Sequence, residues 1–281
     1  MDCTKIYISI DNTYFMDVKE RLSGLTSKNN ISFFDSGDDA IFFILNHLKT
    51  LGLKKVLIPD SGGWFSYRKY PKKLFLEIIE IKTVDSLIDI DDLKNNLAPD
   101  SCLLLNSLGG YFVEEPVKAI EDICREKNIL FINDVSASIG THLAKFGDFC
   151  IGSFGEDKPI DLGIGGFIGS NIELFSEKSL FEISENFKKL NAALDILHDK
   201  LRFWENIREK ILRDLDSYPI IHKNSNGINV VARFDNVEQK ENLINYCAKY
   251  DLEYVLCPNY IKVLRPAVSI EVKRVSYKKD G

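Results

Sequence analysis

One lysine of this chain lies in a polar turn in front of a glycine-rich segment. Lys158 follows Ser153 by five positions, and Gly163, Gly165 and Gly166 come shortly after it. Glycines permit positive φ angles and close backbone approach, so we expect the chain to reverse sharply here beside a bound group. Burial at the edge of an apolar sheet can lower the pKa of a lysine amine and make it a Schiff-base nucleophile. A surface lysine in a glycine-rich turn would give the same pattern.

An aspartate closes an apolar strand upstream of this lysine. The run Ile129–Asp134 is apolar up to Asn133, and Asp134 is its last residue. A buried carboxylate is costly unless it is paired, so we expect Asp134 to have a specific partner at the end of its strand.

A third segment combines a turn with the start of a helix. Ser36 with Asp39 forms a variant of the capping box, and the apolar pattern predicts a helix over Ile41–Leu51. The N–H groups at a helix start favour an anion. Asp38 and Asp39 are also common at helix starts for stability alone, so an anion site and a simple cap both remain open.

These segments together resemble the DegT-type sugar aminotransferases, which are fold type I enzymes that use pyridoxal phosphate (PLP). The resemblance rests on Ser-x-x-x-x-Lys with Gly-x-Gly-Gly at 153–166 and on the Asp-Val-Ser-Ala-Ser-Ile-Gly run at 134–140. It implies that Lys158 forms the internal aldimine and moves the substrate Cα proton, that Ser153 contacts the cofactor phosphate, and that Asp134 pairs with the pyridinium nitrogen. The run departs from the family at Ala137, where members usually have glutamine or histidine.

The same resemblance extends to further cofactor contacts. Trp64 is the predicted stacking ring, with Phe65 and Tyr67 as substitutes, and Asn106 could approach the ring oxygen or satisfy loop backbone. The catalytic residues implied are Lys158 and Asp134. The cofactor-binding residues implied are Ser36, Gly37, Asp38, Trp64, Asn106, Asp134, Ser136, Ser153 and Lys158.

The order of elements predicts an α/β fold. Strands and helices alternate over 53–170, which favours a doubly wound, mostly parallel sheet. We expect a PLP-binding domain at 1–175, an interdomain helical segment at 176–216 and a small α/β domain at 217–281. Short strands are predicted at Ile6–Ile10 and Ile261–Leu264, and one or two long helices at Leu180–Leu215. Arg265 could bind substrate, although a surface position fits it better.

Composition limits the partners and the compartment. The net charge is −6, and no basic tract is interleaved with aromatic residues, so nucleic acid is not an expected partner. No apolar run approaches the ~18 residues that a membrane helix needs. The six cysteines contain no Cys-x-x-Cys pair, and the chain start lacks signal-peptide features, which predicts a cytoplasmic protein. The resemblance implies a homodimer that acts on a small-molecule amino donor and acceptor.

Two other functions remain open at this point. A PLP lyase or desulfurase would need a thiol, for which Cys257 is the candidate. A non-catalytic PLP-fold protein, acting as a binding or assembly partner, would explain the aspartates around Gly37 and the alanine at position 137.

Overall fold

A computed structural model describes residues 3–174, 181 and 184–277. The strands are β1 (Asn30–Phe34), β2 (Lys55–Pro59), β3 (Glu77–Ile81), β4 (Thr83–Val84), β5 (Leu87–Ile88), β6 (Ser101–Asn106), β7 (Leu108–Gly109), β8 (Val113–Glu114), β9 (Leu130–Asp134), β10 (Phe149–Ser153), β11 (Gly166–Ser170), β12 (Val230–Arg233), β13 (Tyr254–Cys257) and β14 (Ala267–Ile270). The α-helices are α1 (Cys3–Thr26), α2 (Gly37–Thr50), α3 (Ser66–Lys73), α4 (Ile90–Asn96), α5 (Val117–Glu126), α6 (Ser184–Asp195), α7 (Leu197–Asp214) and α8 (Val237–Lys249).

A seven-stranded sheet forms the centre of the chain. Its strand order is β1-β11-β10-β9-β6-β2-β3. Strands β10, β9, β6, β2 and β3 pair in parallel, whereas β11 runs antiparallel to both of its neighbours. The predicted doubly wound, mostly parallel α/β sheet is therefore confirmed.

Strand β6 shows why a continuous apolar run fits this position. Cys102 and Leu104 belong to the hydrophobic cluster on one face of the sheet, and Leu103 and Leu105 belong to the cluster on the other. Successive side chains of a strand point to opposite faces, so both faces must be covered. Helix α2 packs on the first face, and helices α5 and α7 pack on the second.

The C-terminal part adds a three-stranded sheet with the order β12-β14-β13. Its residues Val230, Val268 and Ile270 lie in the same hydrophobic cluster as the second face of the large sheet. The C-terminal sheet therefore shares a hydrophobic core with the second face of the large sheet.

Two predicted strands are wrong. Ile6–Ile10 lies inside α1. No glycine or proline interrupts the chain before Gly24, so the helix predicted over Phe15–Leu22 extends back through the alternating isoleucines. Ile261–Leu264 lies in the loop between β13 and β14, which pair with each other directly, with Cys257 opposite Ala267.

The predicted helical segment is confirmed as two helices, α6 and α7, although its first residue, Leu180, lies outside the described residues. The stripe Leu190, Leu197, Trp204 and Ile211 is buried in the core. Among the described helices, none is long and apolar enough to cross a lipid bilayer.

Candidate active site

A cleft of about 280 Å³ opens at the carboxyl ends of the central parallel strands. This edge is where open α/β sheets bind ligands. Every cofactor-binding residue proposed from the sequence lines the cleft. The lining residues are Ser36, Gly37, Asp38, Ile41, Trp64, Asn106, Tyr111, Asp134, Ser136, Ile151, Gly152, Ser153, Gly155, Glu156 and Lys158.

The turn after β10 places Lys158 in the cleft. Asp157, with φ of +59°, and the glycines Gly163 (+71°) and Gly165 (+95°) let the chain reverse into the antiparallel strand β11. The Lys158 carbonyl accepts a hydrogen bond from Lys200 Nζ at 2.8 Å. Helix α7 therefore holds the backbone of this turn, while the Lys158 amine stays in the cleft.

Asp134 stands at the end of β9 with its carboxylate hydrogen-bonded. Its Oδ2 accepts from the Tyr67 hydroxyl at 2.7 Å, and its Oδ1 accepts from the Ser136 backbone N–H at 2.9 Å. Burial, followed by the Asp134 charge, raises the pKa of Tyr67 well above its usual value, so Tyr67 remains a donor. A carboxylate has about four lone-pair sites, so Asp134 can accept one more hydrogen bond from a group in the cleft.

The N-terminus of α2 meets the end of β10 across the cleft. The predicted cap is confirmed, because Ser36 Oγ accepts from the Asp39 N–H at 3.1 Å. A Cβ built on Gly37 would lie 2.6 Å from Ser153 Cβ, so only glycine fits here without a shift. Ser153 Oγ accepts from the Gly155 N–H at 3.2 Å, which leaves its own proton to donate. The first turn of α2 and this serine are groups that could hold an anion.

The acidic residues of this turn are engaged by other side chains. Asp38 Oδ1 accepts from Trp64 Nε1 at 3.1 Å and from Ser66 Oγ at 2.7 Å, and Asp39 Oδ2 accepts from Ser36 Oγ at 2.6 Å. Trp64 is thereby tethered at the cleft. Asp38 contributes a positioning hydrogen bond to that ring, a role that the sequence did not suggest.

Asn106 and Ser136 line the cleft, and both also accept hydrogen bonds from backbone N–H groups. Asn106 Oδ1 accepts from the Leu108 N–H at 3.0 Å, as one of the two sequence interpretations held. Ser136 Oγ accepts from the Ser153 N–H at 2.9 Å and so connects the loop after β9 to the end of β10.

Tyr111 and the two lysines beside its ring, Lys262 and Lys273, were not predicted from the sequence. Lys158 Nζ donates to the Tyr111 hydroxyl at 2.8 Å. The amines of Lys262 and Lys273 lie 4.8 and 4.9 Å from the centroid of the Tyr111 ring. Tyr111 is in a short glycine-containing segment, and only that local feature could have marked it in the sequence.

The electrostatics of Lys158 differ from the sequence expectation. Burial acts to lower the pKa of the amine, but Tyr111, Asp134 and Asp157 outweigh it and raise the pKa above its usual value. The expected net lowering is therefore wrong, because the buried amine has an acceptor and acidic neighbours. For Lys273, burial and the nearby Lys158 lower the pKa to about 8.

Several candidate residues lie elsewhere. Arg265 is exposed and pairs with Asp85 at 2.6 Å, which agrees with its interpretation as a surface residue. Phe65 is exposed and its ring packs beside Tyr260, while Tyr67 serves Asp134 and is not available for stacking. Cys257 is buried outside the cleft, and burial raises the pKa of its thiol.

Two sequence families match different parts of the chain. Residues 76–186 match the DegT/DnrJ/EryC1/StrS aminotransferase family, and residues 184–279 match the MJ1341 family C-terminal domain. A search of curated protein sequences found no match.

Solved structures match nearly the whole chain at low identity. An E. coli GDP-4-keto-6-deoxy-D-mannose-3-dehydratase with bound hydrated PLP has a TM-score of 0.74 at 12% identity, covering 92% of this chain and 87% of that chain. A DegT DnrJ EryC1 StrS aminotransferase from Brucella abortus has 0.72 at 13%, covering 92% and 84%. A NifS-like protein from Rickettsia africae has 0.70 at 14%, covering 99% and 86%.

These similarities agree with the family and the fold that the sequence motifs indicated. Residues 76–186 carry the sequence pattern of the DegT/DnrJ/EryC1/StrS aminotransferases, and the chain has the fold type I architecture of the PLP-dependent enzymes.

Proposed function

We propose that this protein is a PLP-dependent aminotransferase in which Lys158 binds the cofactor covalently. The observation that carries the proposal is the convergence of Lys158, Asp134, Ser153 and the first turn of α2 on one cleft. These residues come from separate strands and loops, and a surface lysine in a glycine-rich turn would not require them to converge.

The cleft fits PLP at its phosphate end. The start of α2 packs closely on the end of β10, because a Cβ on Gly37 would lie 2.6 Å from Ser153 Cβ, and this brings the helix start beside the Ser153 hydroxyl. The N–H groups at the start of α2 and the Ser153 hydroxyl would hold the phosphate. Because Asp38 and Asp39 accept hydrogen bonds from Trp64, Ser66 and Ser36, their carboxylates are occupied by donors of the protein itself.

The cleft also fits the ring of the cofactor. When bound, PLP supplies an aldehyde carbon that takes up amines and a ring that withdraws electrons from the reacting carbon. Asp134, fixed by Tyr67 and Ser136, would keep a proton on the ring nitrogen, and Trp64 would lie against the ring face. Asn106 and Ser136 would border the ring.

Lys158 would act as the general base that takes the proton from the substrate Cα. A positioned amine contributes typically 10²–10⁴-fold as a general base. The raised pKa of the Lys158 amine favours its protonated form, and Tyr111, which accepts a hydrogen bond from the amine, is one cause of this rise.

We propose transfer in preference to desulfuration because of where the candidate thiol lies. A desulfurase needs a reactive thiol at the cleft, and Cys257 is buried away from it with a raised thiol pKa. A non-catalytic role would leave Lys158 and Asp134 without a reason to share the cleft. We also propose a cytoplasmic homodimer that takes small-molecule amino donors and acceptors, and sedimentation velocity of the purified protein would test the dimer.

Amine exchange tests the proposed function. Protein loaded with PLP is mixed with single amino acids, and conversion of the cofactor to its amine form is followed by absorbance and by mass spectrometry. We expect at least one donor to convert the cofactor stoichiometrically and a keto acceptor to reverse the change. Lys158→Ala should convert at least about a hundredfold more slowly. Release of sulfide or loss of a substituent without cofactor conversion would contradict transamination.

A further inference from the structure

Tyr111 occupies a strained position at the tip of a short hairpin. It follows Gly110 in the turn between β7 and β8, and its φ is +71°. A non-glycine residue in the left-handed region is strained and persists only where the surroundings demand it. The Tyr111 N–H and the Phe112 N–H donate to the carbonyls of Leu108 and Gly109, which closes the turn. The conformation brings the Tyr111 side chain to the cleft wall.

The Tyr111 hydroxyl contacts the atom on which the proposed chemistry depends. Lys158 Nζ donates to it at 2.8 Å, and both residues line the cleft. A hydrogen bond donated in one direction restricts rotation of the Lys158 amine about its Cε–Nζ bond. Correct orientation of a nucleophile is a large part of catalytic acceleration.

The C-terminal part of the chain holds the Tyr111 ring in place. Lys262 lies over the ring and is anchored by Glu271, whose Oε1 is 2.8 Å from Lys262 Nζ. Lys273 also lies over the ring, and its Nζ is 3.8 Å from Asp157 Oδ2 in the turn that carries Lys158. Cations over an aromatic ring are attracted to the negative face of the ring. Lys273 therefore contacts both the Tyr111 ring and the turn that carries Lys158.

We propose that Tyr111 is a further residue of the catalytic machinery, the hydrogen-bond acceptor that orients the Lys158 amine, and that Lys273 is a positioning residue that fixes its ring. This proposal rests on the proposed covalent role of Lys158. It deepens that role by assigning a task to the segment at 184–279, which lies almost entirely outside the aminotransferase family match.

The first test uses the protein without cofactor. Lys158 has Tyr111, Asp134 and Asp157 as neighbours that favour its charge, and the Lys262 and Lys273 amines lie 4.8 and 4.9 Å from the centroid of the Tyr111 ring. Trace acetylation with acetic anhydride at a series of pH values, read by mass spectrometry of the Lys158 peptide, gives the pH midpoint of this amine. Tyr111→Phe removes an acceptor that favours the ammonium form and leaves the burial, so the midpoint should move to lower pH.

A matched control separates this effect from a general loss of structure. The Tyr246 hydroxyl donates to Asp214 at 2.8 Å and lies outside the cleft. Tyr246→Phe should therefore leave the Lys158 midpoint unchanged. An unchanged midpoint in Tyr111→Phe as well would overturn the proposal, whether or not the protein binds PLP.

The second test measures how fast Lys158 captures PLP. Samples are quenched with borohydride over time, and the labelled Lys158 peptide is quantified. The capture rate is divided by the fraction of unprotonated Lys158 amine given by the first test, and we expect this corrected rate to fall roughly tenfold or more in Tyr111→Phe, because the amine loses its fixed orientation. Wild-type protein that never captures PLP would refute the proposed function, while the acetylation profile would still decide the role of Tyr111.

The third test asks whether Lys273 acts through Tyr111. Lys273→Met keeps the apolar stem and removes the cation, so capture should slow, and Lys273→Arg should restore it. In the Tyr111→Phe background, Lys273→Met should have no further effect on the capture rate corrected for the unprotonated fraction of Lys158, because the hydroxyl that Lys273 positions is gone. Additive slowing in the double variant would overturn the positioning role.

Discussion

The two ends of the cleft are built in different ways. At the phosphate end, Ser36, Gly37 and Ser153 come from a helix start and a strand end, and backbone groups and small side chains form the surface. At the lysine end, Tyr111 and Lys158 are held by long side chains from the C-terminal part. The first end is fixed by backbone geometry, whereas the second depends on a network of buried charges.

Because of this difference, the two ends of the cleft are suited to different tasks. A cradle of amides and hydroxyls binds an anion with little dependence on pH. A lysine beside a tyrosine and two further amines changes its properties with every proton gained or lost nearby. The predictions below test whether binding is governed by the first end and reactivity by the second.

The largest effect is expected at Asp134, which links the two ends. Asp134→Asn keeps the shape and an oxygen for Tyr67, but it removes the charge that would hold a proton on the cofactor ring and leaves the Ser136 N–H without its acceptor. Amine transfer should fall roughly a hundredfold or more. Asp134→Ala should in addition lose about 1–3 kcal/mol of stability, because the buried Tyr67 hydroxyl loses its acceptor. Steady-state kinetics measures the loss of activity, and thermal unfolding measures the loss of stability. Full activity in Asp134→Asn would show that the charge of Asp134 is not needed for amine transfer.

The hairpin at the lysine end should make stability depend on pH. Glu115 directly follows β8, its Oε2 accepts from the Ile88 N–H at 3.1 Å, and its Oε1 has no partner among the described residues. Burial raises the pKa of Glu115 from 4.5 to about 8. Between these values the unfolded chain loses the proton and the folded chain keeps it, so stability should fall as the pH rises from about 5 to 8, by roughly 2–4 kcal/mol.

Glu115→Gln provides the control for this dependence. Glutamine cannot ionise, so the fall in the free energy of unfolding over this pH range should largely disappear. Urea unfolding at pH 5 and pH 8 measures it. Equal slopes in the wild type and the variant would show that Glu115 is not the group responsible.

The phosphate end should respond to a single methyl group. Gly37→Ala places a Cβ 2.6 Å from Ser153 Cβ, which forces α2 and β10 apart. Overpacking of this kind costs about 1–3 kcal/mol, so PLP affinity should fall roughly five- to hundredfold. Gly24→Ala is the matched control, because its Cβ meets no described atom within 4 Å. Equal PLP titrations for the two variants would count against the cradle.

The smallest effect is expected from the stacking ring. Trp64 lines the cleft and is tethered by Asp38, whereas its neighbour Phe65 is exposed beside Tyr260. Trp64→Ala should weaken PLP binding about two- to tenfold, since stacking contributes roughly 0.5–1.5 kcal/mol beyond burial. Phe65→Ala should leave the affinity unchanged. A larger effect from Phe65→Ala would show that Phe65, and not Trp64, stacks on the cofactor ring.

The phosphate end could be predicted because its residues belong to local patterns. Ser36 caps the helix that follows it, Gly37 belongs to the same turn, and Asp134 and Ser153 end apolar strands whose order in a parallel sheet brings them to one edge. Each of these positions can be read from a few neighbouring residues. The sheet that joins them follows from the alternation of strands and helices.

The lysine end could not be predicted in the same way. Lys262 and the hairpin carbonyl of Gly110 that it contacts are 152 positions apart, and no local pattern connects them. Tyr67 was considered as a stacking ring because an aromatic after a strand fits that role, but its hydroxyl reaches Asp134 instead. The lowered pKa expected for Lys158 took account of burial but not of Tyr111, which only the folded chain brings into contact.

The central claim concerns which amine reacts. The protein is incubated with PLP, reduced with borohydride, digested, and mapped by mass spectrometry. We expect a label on Lys158 and its disappearance in Lys158→Ala. A label on the neighbouring Lys262 or Lys273 instead, or no label at all, would contradict it.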